Sequence, residues 1–234
     1  MFNAGSPNSV SGLRVDADGG LAPLAGSTRP LSAAASGPAQ IEFSRDGRAL
    51  LVTEKATSRI DSYSIGPDGL AGAASVRPSA GATPFGFAFD QRGHLIVSDA
   101  FGGAPGAGAL SSYELAADGS LATITGVAGD GQAAPCWVVT TSGGRYAYTT
   151  NTGSGNVSSY SIGTDGSLQL LASDAGTTGA GPIDMALSQN DRFLYTLDAG
   201  SHSVRRLRRR RGRQPRADRR PVGSSRQRRR LAAS

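Results

Sequence analysis

Cysteine, histidine, lysine and tryptophan are almost missing from this chain of 234 residues, which has one Cys, two His, one Lys and one Trp. The single thiol, Cys136, excludes an internal disulfide and any cysteine-rich zinc site. A lone half-buried thiol reads as a small hydrophobe. No apolar run reaches the ~18 residues of a membrane-spanning helix, so no membrane partner is expected. The opening Met1-Phe2-Asn3-Ala4 has neither a basic n-region nor an apolar h-region, so no signal peptide is expected, and the compartment stays open. Aromatic residues make up 6 % of the chain while Gly reaches 33 residues. Short β-branched segments between Gly, Asn and Asp turns dominate, which is the pattern of an all-β fold.

The formal charge of +6 hides two unlike parts. Residues 1–204 hold 10 basic against 17 acidic side chains, a net −7. Residues 205–234 hold 14 Arg against one Asp, a net +13.

The chain repeats itself. Units open at Pro38, Pro84, Pro135 and Pro182, with spacings of 46, 51 and 47 residues. A second marker agrees: Asp18-Gly19, Asp68-Gly69, Asp118-Gly119 and Asp165-Gly166 lie 50, 50 and 47 residues apart. Each marker follows a strand: Val10–Val15, Ile60–Ile65, Leu110–Leu115 and Val157–Ile162. The clearest unit has strands at Trp137–Thr141, Tyr146–Thr150 and Val157–Ile162, with a weakly patterned fourth at Leu168–Ser173. A period near fifty residues with four strands is a propeller blade. The spacing therefore predicts a partial β-propeller of about four blades of four-stranded antiparallel sheet over residues 1–204. The chain starts inside a unit, since Asn3–Val15 matches Asn151–Ile162 without its opening strands. Open sheet edges at both ends predict self-association.

The units resemble the lactonase-type (YVTN) seven-bladed propellers, the 6-phosphogluconolactonase and carboxymuconate-lactonizing group. The resemblance rests on Gly37-Pro38-Ala39-Gln40, Ser44-Arg45-Asp46-Gly47-Arg48, Val52-Thr53-Glu54 and Ile60-Asp61-Ser62-Tyr63. It implies lactone hydrolysis or lactone ring closure on a sugar acid or other carboxylate, with no cofactor. The alternative is a non-enzymatic propeller that binds a ligand or a protein partner. Gln40 stands where the family pattern Gly-Pro-Arg-His has histidine, which removes a base and points to weakened activity.

In a meander the start of the first strand and the end of the second share one edge, here one mouth of the propeller channel. The first-strand residues there are Gln40, Phe85, Trp137 and Asp184. The second-strand residues are Glu54, Lys55, Asp99, Asn151 and Asp198, with Phe101 in the adjoining Gly-rich insertion Phe101–Ala109. Carboxylates, amides and aromatics suit a lactone or a sugar acid. Glu54 is the candidate general acid or base, with Lys55 stabilising an anion. Against this, Glu54, Asp99 and Asp198 can equally cap strand ends by accepting backbone N–H bonds. The carboxylates could hold a hard cation, but no dense Asp-x-Asp-x-Asp-Gly loop is present, so no metal is expected. His94 falls at the far face and His202 at the mouth.

By composition the arginine-rich stretch 205–234 reads as a disordered arm for nucleic acid. The genetic code gives a different account. Shifting the frame by one base after Val204 turns CGN arginine codons followed by C into Ala, Gly, Val or Asp codons. One consistent codon choice then restores a copy of Val157–Leu168. The stretch is therefore read as a frameshift product, and nucleic acid is not an expected partner.

Overall fold

The computed structural model describes residues 1–210 and 213–217, with side chains as far as Arg208. Five short strands open the chain: β1 (Phe2–Asn3), β2 (Ser9–Val10), β3 (Leu13–Val15), β4 (Leu21–Pro23) and β5 (Arg29–Pro30). They pair as a three-stranded sheet β1-β2-β5 and a hairpin β3-β4.

Four four-stranded antiparallel sheets follow, each a meander in sequence order. Blade 1 is β6 (Pro38–Phe43), β7 (Ala49–Glu54), β8 (Arg59–Ile65) and β9 (Ala71–Pro78). Blade 2 is β10 (Pro84–Phe89), β11 (Leu95–Asp99), β12 (Ala109–Leu115) and β13 (Leu121–Gly129). Blade 3 is β14 (Pro135–Thr140), β15 (Tyr146–Asn151), β16 (Asn156–Ile162) and β17 (Leu168–Thr177). Blade 4 is β18 (Pro182–Leu187), β19 (Phe193–Asp198), β20 (Ser203–Arg210) and β21 (Arg213–Ala217). The protein is a partial β-propeller. Among the described residues no helix is long and apolar enough to cross a membrane.

The fourth sheet does not break at residue 204, where the basic stretch was expected to leave the fold. Strand β20 runs on to Arg210 and pairs with β21 through Leu207↔Ala217 and Arg208↔Arg216. The physical reason is Leu207. It occupies the third-strand seat that Tyr63, Tyr113 and Tyr160 occupy in blades 1–3, and all four are fully buried. The expected disorder of the remaining basic residues falls outside the described residues.

The core lies between the sheets, not within them. Leu51 and Ile60 of blade 1 pack with Phe87, Leu95 and Tyr113 of blade 2. Ile96 and Leu110 of blade 2 pack with Val138, Ala147 and Tyr160 of blade 3. Tyr148 and Val157 of blade 3 pack with Met185, Leu194 and Leu207 of blade 4. Each strand alternates, so one face of a blade serves the preceding neighbour and the other serves the next. The first strands meet most closely. A Cβ on Gly86 would lie 2.4 Å from the Cys136 carbonyl oxygen, so only glycine fits between β10 and β14.

Every first strand opens on a proline and then slips register. The slips fall at Pro38/Gln40, Pro84/Phe87, Pro135/Val138 and Pro182/Asp184. Proline has no N–H to give the ladder, so pairing starts on a bulge. A bulge re-aims the next side chains, which here are Phe85, Cys136, Trp137 and Ile183.

Candidate functional site

The mouth residues separate into a buried set and an accessible set. Glu54, Asp99, Asn151 and Asp198 end the second strands, and each is fully buried. They hold the incoming loop from the preceding blade. The Ser32 N–H donates to Glu54 Oε1 at 2.9 Å and to Asp61 Oδ2 at 3.0 Å. The hydroxyls of Ser32 and Thr57 both donate to Glu54 Oε2. In blade 2, Ser79 Oγ donates to Asp99 Oδ1 at 3.2 Å. In blade 4, the Gly179 N–H donates to Asp198 Oδ2 at 2.7 Å. Blade 3 exchanges the roles. Asn151 Nδ2 donates to Asn156 Oδ1 and Ser158 Oγ at 2.8 Å each, and the buried acid sits on the loop as Asp130.

The third-strand tyrosines reinforce these latches. Tyr63 and Tyr160 donate to the loop carbonyls of Pro30 and Ala128 at 2.9 and 3.0 Å. Tyr113 instead accepts from the Ala80 N–H at 2.7 Å. Desolvation and the neighbouring carboxylates push the Tyr63 and Tyr160 hydroxyls above the ordinary phenol range.

Glu54 has a second carboxyl beside it. It shares a hydrogen bond with Asp61, two carboxyls from adjacent strands in one dry site. Burial and the Glu54 charge push Asp61 up to about 7. Burial also pushes Glu54 up, but its bonds from Ser32 and Thr57 outweigh that and hold it below its ordinary value. One proton therefore sits on Asp61 and the charge on Glu54. Burial likewise pushes Asp99 up to about 7. The signal for this pair was in the repeat: Asp61 stands where blades 2 and 3 carry Ser111 and Ser158.

The accessible set forms a row, Lys55 just past the second strand of blade 1 and then Phe85 and Trp137 on the first strands of blades 2 and 3. Lys55 Nζ lies 4.9 Å from the centroid of the Phe85 ring. Phe85 and Trp137 are tilted at 58° with centroids 5.3 Å apart. All three are half-buried. Cys136 is adjacent to Trp137, and its Sγ accepts from Thr152 Oγ1 at 2.9 Å. Burial pushes its thiol up, so it is not an activated nucleophile. Asp184, on the next first strand, is the exposed member of the expected carboxylates, and its Oδ1 accepts from the Met185 N–H at 2.7 Å.

Gln40 and Phe101 have structural partners. Gln40 Nε2 donates to the Phe87 carbonyl at 2.8 Å and its Oε1 accepts from the Phe87 N–H at 2.9 Å. That side chain clips blade 1 to blade 2. Phe101 begins a 3-10 turn, and its N–H donates to the Ala82 carbonyl at 3.0 Å. The insertion is thus tied to the loop before blade 2. His202 is exposed at the mouth, while His94 is buried at the far face with Nδ1 2.9 Å from Asp90 Oδ2. Among the described residues, no group of three or more His, Cys, Asp or Glu could hold a metal ion.

The comparisons with known proteins accord with the fold. Residues 100–205 match the family model of the lactonases with a seven-bladed β-propeller. The match takes in part of blade 2, all of blade 3 and part of blade 4. No curated protein matches the chain. Among solved structures, a putative 6-phosphogluconolactonase from Bacteroides fragilis is 20 % identical with a TM-score of 0.70, covering 88 % of this chain and 62 % of that one. The periplasmic gluconolactonase of Pseudomonas aeruginosa is also 20 % identical, with a TM-score of 0.72 over 92 % of this chain and 63 % of that one. A protein from Lactobacillus plantarum is 16 % identical, with a TM-score of 0.74 over 94 % of this chain and 66 % of that one. At these identities the likeness is one of fold. The propeller described here spans about three fifths of the length of the first two structures.

Proposed function

We propose that the protein is a lactonase-type propeller that binds a lactone or sugar acid at the channel mouth and hydrolyses or closes the lactone ring. The observation that carries this reading is the row Lys55–Phe85–Trp137. A cation beside two half-buried aromatic rings suits an anionic ligand with an apolar ring face. In ring opening, Lys55 stabilises the oxyanion that forms when water adds to the lactone carbonyl. Asp184 is the exposed carboxylate; it takes the proton of that water and returns it to the ring oxygen as the ring C–O bond breaks, leaving a hydroxy acid whose carboxyl proton goes to solvent. Glu54 and Asp99 hold loops and have no access to the ligand.

Trp137 is the sole tryptophan, so its fluorescence reports on the row directly. Titration with gluconate and 6-phosphogluconate should quench or shift it. Lys55→Ala should weaken binding of the phosphorylated acid about tenfold or more, the loss of one charge-assisted contact. Proton release from gluconolactone in a pH-stat should fall about a hundredfold in Asp184→Asn. Absence of any fluorescence response would sink the reading.

A second reading, a propeller that binds without turnover, is favoured by one observation. Every carboxylate that ends a described second strand is fully buried. Binding without proton release above the uncatalysed rate would select it.

A further inference from the structure

Two exposed apolar patches at opposite ends of the molecule are the two halves of an interface that the chain already forms internally. At the junction of blades 1 and 2, Tyr113, Leu115 and Leu121 pack against Leu51 and Ile60. At the junction of blades 2 and 3, Tyr160, Ile162 and Leu168 pack against Ile96 and Leu110. In the N-terminal hairpin β3-β4 the same three repeat positions are Leu13, Val15 and Leu21, and these are 40, 68 and 65 % exposed. In blade 4 the receiving positions are Tyr195 and Val204, with Leu197 beside them. Val204 is 57 % exposed, whereas its counterparts Ile60, Leu110 and Val157 are fully buried. Leu197 is 45 % exposed, whereas Thr53, Ser98 and Thr150 are fully buried.

The polar part of the junction is duplicated as well. Inside the chain, the Asp-Gly turn of one blade docks on the third strand of the blade before it, and Ser62 Oγ donates to the Gly119 carbonyl. In blade 4, Arg206 stands at the repeat position of Ser62, and the exposed Arg208 at that of Ser64. At the other end, the equivalent turn carries Asp16 and Asp18, both exposed, beside a Gly19 with nothing within 4 Å of its Cβ position.

We infer that a second copy of this chain docks head to tail, its β3-β4 hairpin covering the free face of blade 4. Apolar positions meet apolar positions in the register used twice inside the molecule, and the acidic turn meets the exposed Arg208 of β20. Such a contact joins two different surfaces, so each copy keeps one of each free and chains can grow beyond a dimer.

The test uses the full chain and two surface variants, both checked for wild-type circular dichroism. Leu197→Lys/Val204→Lys removes the blade 4 face, and Val15→Lys/Leu21→Lys removes the hairpin face. By light scattering across a dilution series, the wild-type chain should associate, and each variant alone should run as a monomer, with association about tenfold weaker or more. Mixing the two variants in equal amounts should restore a dimer and nothing larger, because one intact face of each kind remains. A monomeric wild-type chain overturns the inference. So does a hairpin variant that still associates, which would mean that like faces pair. Failure of the mixture to form a dimer also overturns it.

Discussion

The buried carboxyls decide how this protein responds to pH. Asp61 and Asp99 have an ordinary value of 3.8 and folded values of about 7. Between those limits the folded chain binds more protons than the unfolded one. Stability from these two groups is therefore full below pH 3.8 and is lost as pH rises through about 7. Denaturant midpoints measured between pH 4 and 8 should fall across that window, and Asp61→Asn should flatten part of the decline. An unchanged slope in that variant would show that Asp61 is ionised in the fold. Glu54→Ala leaves Asp61 and the Ser32 loop without their partner in a dry site. It should destabilise by about 3 kcal/mol, with lost activity tracking lost fold. Sequence alone showed Glu54 as a polar residue at a strand end. It could not show that the side chain is buried against the Ser32 loop, because that depends on which loop reaches it.

At the scale of strands and turns, the blade is a device for docking on its neighbour. The Asp-Gly marker was legible as a hairpin turn, and its glycines have positive φ in all four copies. Its docking role was not legible, because it is set by the neighbouring sheet. Gly166 tests it. Its φ is +81°, and a Cβ there would lie 2.6 Å from Ile124 Cδ1 and 2.7 Å from His94 Cγ. Gly93 has φ +95° with nothing within 4 Å. Gly93→Ala should cost about 1 kcal/mol of backbone strain alone. Gly166→Ala should cost about 3 kcal/mol, adding the steric clash between blades. Equal midpoints in urea for the two variants would argue against blade docking at Gly166. The opening prolines were likewise legible as unit boundaries, but the bulges behind them, which aim Phe85 and Trp137, appear only once partner strands are paired.

Over the whole molecule, stability is a sum of blades and the junctions between them. Blades 2 and 3 have a packed sheet on each side, whereas blade 4 leaves Leu197 and Val204 open. Amide exchange should therefore be slowest in β11, β12, β15 and β16 and faster in β19 and β20. Uniform protection across the four blades in a monomeric sample would contradict this account. At concentrations where chains associate, β19 and β20 should become protected along with the β3-β4 hairpin.

The sequence by itself determined the repeat, its strands and the propeller fold, because period, turn residues and alternation are local properties that need no knowledge of distant contacts. It also gathered the candidate residues at one expected mouth. Only the tertiary structure separated them. Burial, and the reach of each interblade loop, turned Glu54, Asp99, Asn151 and Asp198 into latches and left Lys55, Phe85, Trp137 and Asp184 accessible. The same cause kept strand β20 in the fold beyond Val204. A sheet accepts a residue for the volume it fills and the ladder it joins, and Leu207 meets both conditions where the basic composition around it argued for disorder.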